Sequence, residues 1–231
     1  MASQFNDVEC KDVMDWFTND LMIMVNYDVS YSMDVLTNRM AVDKKFNSIV
    51  KKAFKMADFG IYDIRDKSKA VRSGGETSIQ IPIQDIWVDH IVDGKNYQLP
   101  IALESSGTVR FMSVIGPVID SLLNGRTIIV DEMDMSFHPD LCRWIVGLFL
   151  DPAENRNNAQ LIFNTHDVGL LDQDIIRRDQ IRFTDKKWET KDAELIRLSD
   201  FKIRNDLDIR KAYINGSFGA KPFIEPGTLI E

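Results

Sequence analysis

The sequence predicts an α/β fold organised on a parallel sheet, and three observations carry that prediction. Thr127-Ile128-Ile129-Val130 and Leu161-Ile162-Phe163 are short apolar runs that suit buried strands. Between them Leu141, Trp144, Ile145, Leu148 and Phe149 form one stripe at helical spacing, opened by Pro139 at a first helical position and stopped by Asp151-Pro152. Strand, helix and strand at this spacing make a βαβ unit, whose crossover joins parallel strands. The 231 residues suffice for one large domain or a domain with a subdomain, and a hydrophobic share of 44% supports a substantial core.

From the N-terminus, residues up to about 57 read as helical. Val13, Trp16, Phe17, Leu21 and Met24 follow three-and-four spacing, giving a first helix with one apolar face. A second patterned stretch sets Phe46, Ile49, Val50, Ala53, Phe54 and Ala57 on one side. Lys44, Lys45, Lys51, Lys52 and Lys55 stand largely opposite; they could touch nucleic acid, but such a face is ordinarily solvated. Met14, Met22, Met24, Met33 and Met40 read as adaptable core.

From Ile61 to Leu103 the period changes to two. Ile79, Ile81 and Ile83 alternate with Gln80, Pro82 and Gln84, and Ile86 and Val88 continue the strand character; Pro82 marks an edge. Asp93-Gly94 signals a hairpin that returns the chain through Tyr97 to Leu103. Residues 67–77, with Ser73-Gly74-Gly75, read as loop, and His90 reads as structural because no partner stands at ligand spacing. After Thr108, the side chains of Phe111, Ile115, Val118 and Leu122 share a helix face. Pro117 would cost about 3 kcal/mol in a straight helix, so a kink or break is expected there. Near the C-terminus, Gln180 to Phe183 and Ala193 to Leu198 read as a hairpin with a charged tip at Lys186-Lys187. A short helix near Asn205 to Asn215 ends at Gly216. The division expected is a helical arm, 1–60, and an α/β core, 61–231.

Composition excludes some function classes. A net charge of −8 argues against an overall basic surface for nucleic acid. Cys10 and Cys142 lie far apart and outside any CxxC motif, which favours a reducing cytoplasm and no structural zinc. The first residues lack a basic-then-apolar leader, and no apolar run approaches membrane-spanning length. A cytoplasmic protein without a membrane partner is the expectation.

The chemistry gathers around the first of the two apolar strands. It runs into Asp131-Glu132 and then Met133-Asp134-Met135-Ser136-Phe137-His138-Pro139. This is the shape of a Walker B strand, whose first carboxylate serves the Mg²⁺ shell of a nucleotide and whose second polarises the attacking water. Alone, the same pattern fits a plain strand end followed by a solvated loop. Upstream, Glu104-Ser105-Ser106-Gly107-Thr108 places small residues and free amides at a helix start, where partial positive charge suits a phosphate. Downstream, the second strand runs into Asn164-Thr165-His166-Asp167. Asp131 and His166 then fall at C-terminal strand ends, the edge where α/β sheets bind ligands. His138 is either a second active histidine or a loop or capping residue.

In this order the segments resemble the ABC-type ATPase core, a P-loop NTPase fold, as its signature loop, Walker B strand, D-loop and switch histidine. More narrowly, Glu104 through Phe223 resembles the abortive-infection ATPases of the RloA and AbiLii type. The residues that carry it are ESSGT, DEMDMSFHP, QLIFNTHD, RRDQI, LSDFKIRND and GSFGAKPF, roughly the C-terminal half of the chain. The resemblance implies ATP and Mg²⁺ as cofactors, with Asp131 holding the metal through water, Glu132 as general base and His166 as γ-phosphate sensor. It also implies that Ser105, Ser106, Gly107 and Thr108 reach the γ-phosphate on an opposite subunit, and that Asp134 of the D-loop joins the nucleotide site. Glu104 and Thr108 stand where transporter signatures carry Leu and Gln, a departure that matches the abortive-infection branch. A phosphate loop needs GxxxxGK[ST], and none of the twelve glycines fits it; Gly94-Lys95 is followed by Asn96. The chain therefore reads as the distal half of an ATPase, a partial core with a helical N-terminal arm and a β-hairpin region: a split-gene subunit, a piece of a longer chain or a degenerate relic. It would work as a homodimer or as a hetero-oligomer with a phosphate-loop chain, with a nuclease or effector as a further partner. The alternative is a scaffold that keeps the fold for partner recognition without turnover.

Overall fold

The computed structural model describes residues 8–25, 29–57, 59–67, 86–172, 174–187, 192–204 and 207–220. They form two compact units, Met1–His166 and Asp167–Glu231.

The first unit opens with α1 (Val8–Asn19), β1 (Leu21–Met24), α2 (Val29–Val42) and α3 (Lys44–Met56). Next come β2 (Ile61–Asp66), β3 (Ile86–Val92), β4 (Lys95–Pro100) and α4 (Ser106–Asn124). The βαβ unit closes it: β5 (Thr127–Val130), α5 (Pro139–Leu150) and β6 (Gln160–Phe163). β5 and β6 are parallel, with Thr127 beside Gln160 and Val130 beside Phe163, as the sequence predicts. The third strand of that sheet is β1, parallel to β5 on its other side in the order β1-β5-β6.

β1 corrects the reading of everything before residue 57 as helical. Leu21 and Met24 fit a helical stripe by spacing alone. Leu-Met-Ile-Met is also a short continuous apolar run, the pattern of a buried strand, and periodicity cannot separate the two. Tertiary pairing decides it, through Thr127 N donating to Asp20 O at 2.8 Å and Asp131 N to Met24 O at 3.0 Å. α1 is a helix as expected, yet it buries no residue; Val13, Met14, Trp16 and Phe17 are exposed. Of the methionines read as core, Met24, Met33 and Met40 are buried, whereas Met14 is not.

Burial centres on α4, where Phe111, Met112, Val114, Ile115 and Val118 are almost fully enclosed. α2 and α3 pack on α4, with the Phe54 and Phe111 rings edge-to-face at 5.2 Å. Gly116 admits Leu36 so closely that a Cβ there would stand 3.0 Å from its Cδ1. The buried carboxylate of Asp120 is satisfied by Arg39, by Arg126 at 2.5 Å and by the Asn124 amide at 2.8 Å. α4 runs through Pro117 without a break. The close packing of α4 in the core outweighs the backbone hydrogen bond that proline removes.

A second sheet, β2-β3-β4, is antiparallel. Its β3–β4 hairpin turns at Asp93 and Gly94, both with positive φ (50° and 73°), as a two-residue hairpin loop demands. β4 ends at Pro100 and Ile101–Leu103 is a 3₁₀ turn, so the strand stops short of the expected Leu103. The alternating Ile79–Ile83 run, Pro82 and Ser73-Gly74-Gly75 lie outside the described residues.

The second unit holds the expected hairpin, β7 (Arg182–Lys186) with β8 (Ala193–Arg197), and α6 (Ile209–Ile214). Asp208 caps α6 by accepting from Lys211 N, and Gly216 follows its end at φ +80°. Ile181, Phe183, Leu198, Ile209, Ala212 and Phe218 form its core, with Phe183 stacked on Tyr213 and Phe218 at 5.1 and 5.3 Å.

Candidate functional site

Because Val130 and Phe163 are in register, the chain leaves both strands side by side, and Asp131 and Asn164 become neighbours. Asn164 Nδ2 donates to Asp131 Oδ1 at 2.6 Å, and its Oδ1 accepts from Glu132 N. Its backbone carbonyl accepts from Met133 N at 3.1 Å. One residue thus ties three consecutive residues after β5 to the end of β6. Asn164 escaped the sequence reading, although it stands directly after an apolar strand in the quoted QLIFNTHD run.

Glu132 adopts φ +47°, a left-handed conformation uncommon for a residue with a Cβ. Its backbone is held from both sides: Asn164 takes its N–H, and Arg110 Nη2 of α4 donates to its carbonyl at 3.1 Å. Its side chain is exposed. Strained backbone that surrounding structure over-determines is characteristic of functional sites. Arg110, a buried cation on α4, was a signal in plain view that the sequence reading passed over.

The following loop is organised by Asp134, whose Oδ1 accepts from His166 N at 3.1 Å. Asp131, Glu132, Asp134 and His166 therefore lie at one edge, the C-terminal ends of β5 and β6. Pro139 starts α5, and His138 is its N-cap, with Nδ1 accepting from Asp140 N at 3.2 Å. Of the two readings of His138, capping is the one this geometry fits.

Ser105 caps α4: its Oγ accepts from Thr108 N at 3.1 Å and shares a hydrogen bond with the Thr108 hydroxyl at 2.8 Å. The Ser106 and Gly107 amides are first-turn donors with no intrahelical acceptor. Gly107 lies so near the loop after β5 that a Cβ on it would stand 2.8 Å from the Ser136 carbonyl oxygen. Only glycine fits that approach, which seats the Ser105–Thr108 turn against the Met133–His138 loop. His90 of β3 fixes the turn from the other side, its Nε2 2.7 Å from Glu104 Oε1 in a largely buried pair.

Among the described residues no cluster of three or more His, Cys, Asp or Glu could hold a metal ion. Mg²⁺ does not need one, because it binds through one or two carboxylates, water and substrate phosphates. The Asp131 carboxylate at the end of β5 fits the carboxylate share of that donor set.

Residues 37–172 match the family described as "AAA domain, putative AbiEii toxin, Type IV TA system", more than half of the chain. The chain belongs to this AAA family. The matched span includes the Ser105–Thr108 turn, Asp131, Glu132 and His166. The chain's mixed α/β architecture with a parallel three-stranded sheet is that of a partial P-loop NTPase core, and its function class is ATPase-type nucleotide binding. No curated protein matches the sequence. No helix among the described residues is long and apolar enough to cross a membrane.

Proposed function

We propose that the chain is the Walker B and signature half of an ABC-like ATPase site, serving bacterial abortive-infection or anti-phage defence. Its phosphate loop would lie outside these 231 residues, on a second polypeptide in the arrangement tested below. The observation that carries this reading is the arrangement of Asp131, Glu132 and His166 at one sheet edge, the first two tied by Asn164 and His166 held by Asp134. Asp131 would hold Mg²⁺ through water, and bound metal would neutralise developing phosphate charge. Glu132 accepts the proton of the attacking water, from a carboxylate left exposed while its backbone is fixed. His166, placed by Asp134, senses the γ-phosphate, and the Ser105–Thr108 turn offers amides to the γ-phosphate of an opposite subunit.

The sheet gives further support. All-parallel sheets are normally covered on both faces. Here Ile23, Ile129 and Ile162 form one row across the three strands, with Ile23 and Ile162 more than half exposed. The outer edge of β6 has no strand partner among the described residues. A phosphate-loop polypeptide would extend the sheet where the nucleotide site is incomplete.

A second reading, a scaffold without turnover, is favoured by the lack of a GxxxxGK[ST] run in these 231 residues. Reconstitution separates the two. Alone, the chain should hydrolyse Mg²⁺-ATP no faster than its Glu132→Gln variant. With a phosphate-loop polypeptide encoded beside it, hydrolysis should appear, and Glu132→Gln should slow it by about 10²-fold or more. Ser105→Arg should block ATP-dependent dimerisation, read by size exclusion in the Glu132→Gln background. Turnover by the isolated chain that Glu132→Gln abolishes would defeat the split-site reading. A stable assembly that never hydrolyses ATP would favour the scaffold.

A further inference from the structure

We infer that the lysine stripe of α3 is a surface for the phosphate backbone of duplex nucleic acid. The helix reads KKFNSIVKKAFKM, with five lysines and no acidic residue in a chain of net charge −8. At about 100° per residue, Lys44, Lys51 and Lys55 fall within about 40° of one another and Lys45 and Lys52 about 80–100° further round. All five therefore share an arc of about 120°. Phe46, Val50, Ala53 and Phe54 occupy the opposite side and are buried against the rest of the unit.

That burial decides between kinds of anionic partner. A basic amphipathic helix reads as membrane-binding when its apolar face is available to enter the lipid. Here that face is committed to the core, with Phe54 against Phe111 of α4, and the side offered outward is the cationic ridge, with Met56 at its end. The ridge is held rigidly, since Asp43 caps the helix by accepting from Phe46 N at 2.9 Å. Lys51 pairs with Asp63 at 3.0 Å. Lys44, Lys45, Lys52 and Lys55 are exposed and make no ion pair with a described residue. Lys44 to Lys55 extends about 16 Å along the helix axis at about 1.5 Å per residue. Duplex DNA carries one charge per about 1.7 Å of its axis, so a straight ridge of this length faces several phosphates at once. Contacts of this kind position a duplex without reading its sequence. The inference does not depend on the ATPase reading, and its test contains no nucleotide.

The full chain is titrated against a fluorescein-labelled 20-base-pair duplex, with anisotropy read from 50 to 200 mM KCl. Four lysine–phosphate contacts predict a log–log salt slope of about −3.6, a loss of affinity of about 10²-fold over that range. Replacing Lys44, Lys45, Lys52 and Lys55 together by Gln should abolish binding at 50 mM. Glutamine keeps helix propensity close to that of lysine, so circular dichroism should match the parent. A control that replaces Lys186, Lys187, Lys202 and Lys211 by Gln removes the same charge elsewhere and should bind as the parent does. Three results would overturn the inference: no duplex binding at 50 mM KCl, equal loss in both quadruple variants, or capture by phosphatidylserine vesicles or polyglutamate as tight as by the duplex.

Discussion

Replacing Glu132 by glycine should stabilise the fold while removing the carboxylate on which the proposed hydrolysis depends. At φ +47° a residue with a Cβ crowds its own carbonyl, at a cost of roughly 1–2 kcal/mol. Glycine relieves that crowding but gives back about 0.5–1 kcal/mol through the greater freedom of the unfolded chain. Taken at mid-range, the net gain is about 0.8 kcal/mol. Little offsets it, because the Glu132 side chain is exposed and the bonds to Asn164 and Arg110 use its backbone. Glu132→Ala is the matched comparison: it deletes the same carboxylate but keeps the Cβ in the left-handed conformation. At about 2–4 °C per kcal/mol for a protein of this size, the glycine variant should melt about 1–4 °C above the alanine variant. Thermal scans by circular dichroism, with urea titrations followed by tryptophan fluorescence, measure the difference. If the glycine variant melts at or below the alanine variant, the strained turn is not what presents the carboxylate, and the account of the site fails at its centre.

Gly107→Ala places a Cβ 2.8 Å from the Ser136 carbonyl, which is backbone and cannot swing away, so urea unfolding should show a loss of about 1–3 kcal/mol. Gly147→Ala in α5 meets nothing within 4 Å and should instead gain about 0.5–1 kcal/mol by helix propensity; equal effects at both glycines would refute the contact. Asn164→Ala removes one bond to a carboxylate and one to a backbone amide at an exposed position, for a loss of about 2 kcal/mol in the same assay. An unchanged unfolding midpoint would show that Asn164 does not tie the strand ends in solution. In the second unit, the hydrogen bonds from Arg177 hold the Asp179 carboxyl below the usual Asp range, with the charge of Arg177 adding to the effect. A depressed folded pKa means that this contribution is present above the unfolded value and is lost as pH falls through the folded one. The carboxyl ¹³C titration of Asp179 should therefore have a low midpoint that returns to the ordinary range in Arg177→Gln; the same midpoint in both proteins would contradict the pairing.

What the sequence determined by itself is what can be read within one element or between adjacent ones. The βαβ unit follows from two apolar runs and a stripe of helical period between them. The Asp93-Gly94 hairpin follows from a pair that readily takes the positive φ of a turn matched to strand twist, and the helix start from the small residues Ser105, Ser106 and Gly107. Because both strands of a βαβ unit run the same way, Asp131 and His166 had to reach the same edge, and this much of the site was visible before any coordinates. Tertiary structure decided everything that depends on partners distant in the chain. Leu21–Met24 is a strand because β5 offers it a parallel ladder, while its own spacing fits a helix equally well. Pro117 passes through an unbroken helix because enclosure on several sides compensates for one missing hydrogen bond. Asn164 and Arg110 acquire roles only from register and packing: polar side chains have no periodicity that announces whom they will meet. Gly107 is demanded by the Ser136 carbonyl 29 positions away, a clash that exists only once α4 and the loop after β5 are brought together.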